Sequence, residues 1–333
     1  MLAMQLLAPW SVDANDPLVV SELPEPEPGP GQLLLTVRAC GVCHTDLHTV
    51  EGELALPHLP LTPGHQVVGE VKALGAGVTR FRVGDRVGVA WVHATCGVCR
   101  FCRCGQENLC EQAQFTGLHV PGGYAGAMLA AADFTFALPD GFADEQAAPL
   151  LCAGVIGYRA LRLSQVQPGQ RLGLFGFGAS AHITIQVARR RGCEVFVFTR
   201  SAAHQAHATA LGAVWTGSPL ATPPHKLDAA INFTPSGAVT LEALRVLERG
   251  GTVAVAGIHS SAIPSFDYNL LYGERQLRSV TNATRQDAEE LLALAAQIPL
   301  QTDVEVFTLL EANQALRRLK RSQITGAAVL QCS

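Results

Sequence analysis

Four thiols lie within one short segment of this chain, as Cys96-x2-Cys99-x2-Cys102-x7-Cys110. Ligands three residues apart on a turning backbone can point at one ion, and the fourth returns after a short loop. Four sulfurs close a tetrahedral zinc site and leave no position for chemistry. The competing reading is a set of reactive or disulfide-forming thiols. Cys104 falls inside this segment but off the pattern, and reads as a small filler. A sparser set comprises Cys43 in GVCHTDLH, His65 in PGHQVVGE and Cys152 in APLLCAG, spaced by 22 and 87 residues. Two sulfurs and one imidazole would leave a coordination position open, as in a zinc site that reacts. Spacing alone does not establish that set. A lone histidine after glycine is commonly a turn or core residue, Cys152 in an apolar run suits packing, and Cys40 three residues before Cys43 offers a local CxxC instead.

A third group suits a dinucleotide. Gly176-Phe-Gly178-Ala179-Ser-Ala181 lies between an apolar run, RLGLF, and a stretch with helical spacing, ASAHITIQVARRRG. The first glycine makes the turn, the second lets backbone approach a pyrophosphate, and the small residue at Ala181 lets helix and strand pack closely. Exposed N–H groups and the helix dipole then favour phosphate. The next strand, EVFVF, ends in Thr199-Arg200-Ser201. A carboxylate there would accept the ribose hydroxyls of NAD, whereas a guanidinium between two hydroxyls suits a 2′-phosphate. NADP(H) is therefore favoured and NAD(H) possible. Arg200 stacked on adenine, tolerating either, is the alternative.

The elements that must position these residues differ along the chain. Residues 1–150 carry short apolar or alternating runs (LLLTVRAC, VVGEVKAL, DRVGVAWV, YAGAMLAA) broken by Pro and Gly, and are expected to be β-rich. MLAMQLLAPW lacks the basic start and cleavage site of a signal peptide and reads as a first strand. Strands and helices alternate over 151–281, including a helix around Leu241–Leu247, which predicts a parallel sheet covered on both faces. Residues 282–333 are expected to return to the first domain, with a helix near Asp287–Ala296, a strand near Val304–Thr308, a helix near Glu311–Lys320 and a final strand GAAVLQ.

The bulk numbers set limits. A chain of 333 residues exceeds one ordinary core, so two domains are expected. The net charge is −4 and no Lys/Arg block occurs, which argues against nucleic-acid or anionic-membrane partners. No apolar run approaches the ~20 residues of a membrane span. Ten cysteines in a chain of this length fit metal-binding thiols in a reducing cytoplasm better than a disulfide scaffold.

Taken together, CGVCHTDLH, PGHQVVGE, the four-cysteine segment, APLLCAG and the Gly-rich turn, in this order, resemble the zinc-containing medium-chain alcohol dehydrogenases of the yeast type and their bacterial relatives. The resemblance runs through nearly the whole chain. It implies a GroES-like β-rich catalytic domain (1–150 and 282–333, with a zinc lobe at about 93–113) and a doubly wound Rossmann domain (151–281). It implies two zinc ions per chain: a catalytic one on Cys43, His65 and Cys152, and a structural one on Cys96, Cys99, Cys102 and Cys110. Thr45 matches the hydroxyl residue that hydrogen-bonds the alcohol, and His48 the outer member of the proton relay. Asp46 matches a carboxylate behind the zinc ligands, His44 a cofactor-phosphate contact, and Trp91 a large side chain narrowing the substrate pocket. The implied reaction moves hydride between an alcohol, primary by preference, and NAD(P). The implied assembly is a homo-dimer or homo-tetramer.

The chain departs from the family pattern at three places. Gln66 stands where glutamate commonly follows the ligand histidine, leaving the site one negative charge poorer. Thr325-Gly326-Ala327 lacks the arginine that many relatives place after that glycine. Ala181 replaces a third glycine. A polyol or sugar dehydrogenase of the same fold is the rival enzyme. A non-catalytic NADPH-binding sensor predicts a broken ligand set, and a zinc-free quinone reductase would also lack one; here the set is complete.

Overall fold

The computed structural model describes residues 1–332. It divides into two compact units, one formed by Met1–Cys152 with the segment from Asn282 onward, the other by Ala153–Thr281.

In the first unit the long strand Gln32–Val42 organises a seven-stranded sheet. The order across the sheet is Val304–Thr308, Ala327–Gln331, Gln32–Val42, Gln66–Leu74, Arg86–Val89 and Thr135–Ala137, with Ala127–Ala131 also paired to the long strand. Only the first two of these run parallel. The long strand reads QLLLTVRACGV and is buried along most of its length, as a central strand covered on both faces must be. Its residues Leu33, Leu35, Val37 and Cys40 pack with Val67, Val71 and Val87 in one core. Two register shifts, at Leu34/Leu35 and Val37/Ala39, accommodate its length. Helix α1, His44–Val50, starts directly after this strand, with Cys43 as its N-cap.

The second unit is a six-stranded, wholly parallel sheet. Numbered along the chain from Arg171–Phe175, its strands lie in the order 3-2-1-4-5-6, which is the Rossmann arrangement. Helices α2, Ala179–Arg190, and α3, Ala202–Ala210, follow the first and second strands. Phe175 and Phe198, at the ends of those two strands, stack with ring centroids 4.1 Å apart. The helix expected around Leu241–Leu247 instead spans Gly237–Arg245. Ser236 caps its N-terminus, and Leu247, fully buried, opens the next strand. Among the described residues, no helix is long and apolar enough to cross a membrane.

Candidate active site and metal centres

The four-cysteine segment forms a lobe in which the thiols converge. Sulfur–sulfur distances are 3.5 Å (Cys99–Cys102), 3.6 Å (Cys96–Cys110) and 3.9 Å (Cys96–Cys102). A tetrahedron with Zn–S of about 2.3 Å requires sulfurs about 3.7 Å apart, so the donor set fits that ion. The backbone prepares it: the amide of Cys99 donates to Cys96 Sγ (3.3 Å), that of Cys102 to Cys99 Sγ (3.5 Å), and that of Cys96 to Cys110 Sγ (3.5 Å). Hydrogen bonds from the Val98 and Cys99 amides bring the Cys96 thiol down to about 6. Cys104 is not part of the convergent set. It is exposed, and its thiol donates to the Phe101 carbonyl. Glu107, nearly buried, ties the lobe to the segment from Asn282 by accepting from both the backbone N–H and Nε of Arg285.

The sparse set also converges. The ligand atoms of Cys43, His65 and Cys152 all lie within 4.8 Å of one another. Cys43 Sγ and His65 Nε2 are 3.4 Å apart, close to the ~3.5 Å that tetrahedral Zn–S and Zn–N bonds would impose. Cys40 stays outside this group. It is fully buried in the sheet core, and burial pushes its thiol well up.

Asp46 orders the site. One carboxylate oxygen accepts from the Cys43 amide (2.9 Å), closing the capping box of helix α1, while the other accepts from Gly64 N–H (3.2 Å) and His65 Nδ1 (3.0 Å). Because the carboxylate accepts, Nδ1 carries the hydrogen and Nε2 faces the sulfurs, the tautomer a metal needs. Asp46 and His65 are both buried. Burial works against charge on His65, but Asp46 and Cys43 outweigh it and push the imidazole up to about 10. The neighbouring Cys152 thiol and burial raise Cys43 well above the ordinary thiol range. Gly64 makes the approach possible: its φ is +98°, and a Cβ there would stand 2.4 Å from the Tyr124 ring.

The remaining residues fall as follows. Thr45 is half-buried on the first turn of helix α1, and its amide donates to Cys43 Sγ. His44, beside it, is exposed. His48, one turn on, lies 2.5 Å through Nδ1 from Glu53, a partner that sequence reasoning missed. Trp91 meets the His65 ring edge-on at 5.0 Å and stacks on Phe115 at 4.8 Å. Gln66 is buried opposite Gly41 in register, where any Cβ would come within 2.8 Å of its side chain.

In the second unit Gly176 ends the first strand with φ +87°, and Gly178 is the exposed N-cap of helix α2, with open space where a Cβ would stand. Ala179 begins that helix, and Ala181 is fully buried in it. This backbone can receive a diphosphate at a helix N-terminus. Thr199 is pinned by its amide to the Gly217 carbonyl, and Ser201 caps helix α3 by accepting from the His204 amide. Arg200 is exposed and forms no ion pair among the described residues.

A β-rich unit with two convergent sets of side chains able to hold metal ions is joined in one chain to a sheet with the Rossmann strand order, the combination expected of a dehydrogenase. The sequence matches the family model for the alcohol dehydrogenase GroES-like domain over residues 29–140, and that for zinc-binding dehydrogenase over residues 181–297. A probable alcohol dehydrogenase, AdhA, of Mycobacterium tuberculosis is 47% identical, covering 99% of this chain and 97% of that protein. An alcohol dehydrogenase of Geobacillus stearothermophilus is 37% identical, covering 94% and 96%. Among solved structures, a cobalt- and zinc-bound thermostable alcohol dehydrogenase from Pyrobaculum aerophilum is similar with a TM-score of 0.90 at 26% identity, covering 99% of each chain. The chain belongs to the zinc-containing medium-chain alcohol dehydrogenase family. Alcohol dehydrogenase activity goes with that membership.

Proposed function

We propose that this chain interconverts primary alcohols and aldehydes, depends on zinc, and takes NADP in preference to NAD. The observation that carries the reading is the convergence of Cys43, His65 and Cys152 from three separate segments, with His65 already oriented by Asp46. Cys96, Cys99, Cys102 and Cys110 would hold a second, structural zinc. When bound, the catalytic zinc supplies Lewis acidity and the nicotinamide accepts or delivers hydride.

The chain's own residues do the rest. Asp46 holds the His65 tautomer and, through the Cys43 amide, the start of helix α1. That helix carries Thr45 and His48 at i and i+3, on one face, where the first hydrogen-bonds the alcohol and the second takes its proton outward. Trp91, packed edge-on against His65, would narrow the space for substrate beside these ligands, which supports primary over secondary alcohols. His44 contributes to holding cofactor phosphate, and the amides from Gly178 to Ala181 receive the diphosphate. Arg200, uncommitted to any carboxylate, with Thr199 and Ser201 beside it, suits the 2′-phosphate.

The test compares NADP and NAD with a panel of alcohols and aldehydes, before and after chelation, alongside zinc content. Two zinc ions per chain and loss of turnover on chelation are expected. A Cys43→Ser variant that keeps both ions and its turnover overturns the catalytic assignment, and faster turnover of secondary alcohols overturns the substrate preference. Arg200→Asp should weaken NADP use by about 100-fold, the worth of charge-assisted bonds to phosphate, and spare NAD. Equal loss with both cofactors removes the 2′-phosphate reading.

A further inference from the structure

We propose that Asn232 is a positioning residue for the dinucleotide: it holds Thr234 at the crevice of the second unit's sheet with the threonine hydroxyl turned to accept, so that Thr234 takes a hydrogen bond from a ribose hydroxyl or an amino group of the cofactor. The inference rests on the cofactor reading given above and adds to it two residues outside the Gly-rich turn.

The place follows from the strand order. Strand 1, Arg171–Phe175, lies beside strand 4, Leu227–Asn232. The chain leaves strand 1 toward one edge of the sheet and strand 4 toward the other. Sheets of this kind open a ligand crevice beyond the carboxyl ends of such a pair. Asn232 ends strand 4 and is fully buried, and Thr234, two residues on, is half-buried. The loop between them is tied to both neighbouring strands. The Phe233 amide donates to the Phe175 carbonyl (2.9 Å). The Asn232 carbonyl accepts from the amides of Ala256 (2.8 Å) and Gly257 (3.1 Å), which follow strand 5, Leu247–Val255. Two glycines admit Thr234. A Cβ on Gly257 would stand 2.2 Å from the Thr234 carbonyl oxygen, and one on Gly176 would stand 2.9 Å from its methyl carbon. Thr234 thus packs directly on the first glycine of the Gly-rich turn.

The donor inventory fixes which way the hydroxyl points. Asn232 Nδ2 donates to the Ser236 carbonyl (3.2 Å) and to Thr240 Oγ1 (2.9 Å). Its Oδ1 accepts from the Thr234 amide (2.9 Å) and from Thr234 Oγ1 (2.7 Å). A carbonyl only accepts and an amide N–H only donates, so Ser236 and Thr234 allow the Asn232 side chain one orientation. Oδ1 carries no hydrogen. The Thr234 hydroxyl therefore directs its own hydrogen there and keeps only acceptor lone pairs for a ligand. No donor among the described residues reaches those lone pairs. Ionised phosphate oxygens also only accept, so the diphosphate is not the partner. A ribose hydroxyl or an amino group has the hydrogen that Thr234 lacks. The Gly-rich turn and Thr234 thus divide the work: amides for the anionic middle of the cofactor, an acceptor for a neutral donor on its nucleosides.

The experiment uses the full-length enzyme and the variants Thr234→Val, Thr234→Ser, Asn232→Ala and Asn232→Ala with Thr234→Val. NADPH fluorescence measures the Kd directly, without turnover, and melting temperature reports stability separately. Thr234→Val keeps the shape and loses the hydroxyl, and should weaken NADPH by about fivefold, the worth of one neutral hydrogen bond. Thr234→Ser keeps the hydroxyl and should bind as wild type. Asn232→Ala should weaken NADPH by a similar factor, because the hydroxyl is then free to turn, and should cost no further affinity once Thr234 is Val. Deamino-NADPH, which lacks the adenine amine, separates the donors: the Thr234→Val loss vanishes with it where that amine is the partner, and persists where the donor is elsewhere on the cofactor. An unchanged Kd in Thr234→Val, an equal loss in Thr234→Ser, or an undiminished cost of Asn232→Ala in the Thr234→Val background overturns the proposal. Because the Thr234 variants leave Asn232 in place, they decide the matter even where Asn232→Ala does not fold. A wild type that binds neither NADPH nor NADH sinks the cofactor reading as well, whereas binding that ignores the Thr234 hydroxyl overturns this inference alone.

Discussion

At the residue scale, Asp46 is the side chain that orders most of the Cys43–His65–Cys152 set. It accepts from Cys43, Gly64 and His65 at once, and each bond fixes a different part of the site. Asp46→Asn can still accept one hydrogen bond but loses the charge that orients and polarises the imidazole. Zinc affinity at this site should fall 10–100-fold, the usual cost of removing such a partner, while the four-cysteine site keeps its ion; competition with a chromogenic chelator measures both. The protonation of the site adds a pH dependence of known sign. In the zinc-free protein His65 is raised to about 10 and Cys43 well above the usual thiol range, so both hold protons at neutral pH. Zinc must displace these protons, and its affinity therefore rises with pH below that range and falls with acid. Those two protons alone should make the apparent affinity rise by at least about 100-fold per pH unit between pH 6 and 8. A flat profile would mean that the ligands are already deprotonated.

At the element scale, the turn carrying His65 sets the site's tolerance. Gly64→Ala would place a methyl 2.4 Å from the Tyr124 ring at a positive φ, at a cost of more than ~3 kcal/mol. Zinc content should drop from two to one and thermal stability should fall; a variant that retains both ions and its melting temperature would show that Tyr124 can move aside. The same elements decide how much of the site is legible in the amino-acid sequence. The four-cysteine lobe is legible because its ligands are local, and the strand–helix alternation because buried parallel strands read as continuous apolar runs. Cys43, His65 and Cys152 are not legible by spacing, because a sheet register and a one-turn helix start bring them together. Resemblance supplies that set and Asp46 with it. Glu53 and Glu107 escape a reading of the sequence. The first needs the geometry of a helix C-cap, although a histidine followed five residues later by glutamate across a glycine is a usable signal. The second needs Arg285, 178 residues away. Gln66 reads in the sequence only as a lost charge, and its register opposite Gly41 explains why that side chain has space at all.

At the scale of the whole molecule, both metal-ligand sets lie in the first unit, and each unit has its own apolar core. Metal removal should therefore act on one unit. Calorimetry with a strong chelator should lower one transition by more than ~10 °C, given several kcal/mol per bound zinc and ~2–4 °C per kcal/mol for a unit of this size, and leave the other in place. A joint shift of both transitions would show that the units unfold as one. The first unit is also discontinuous: the strand Ala327–Gln331 pairs with Gln32–Val42, the strand that leads into Cys43. During synthesis the nascent chain thus exposes Cys43, His65 and Cys152 long before the neighbouring strand exists, while residues 153–281 have all they need to close their own sheet. Until Ala327–Gln331 is made, the Ala39–Val42 stretch of one edge of the central strand, beyond the part covered by Ala127–Ala131, is open to the wrong partner.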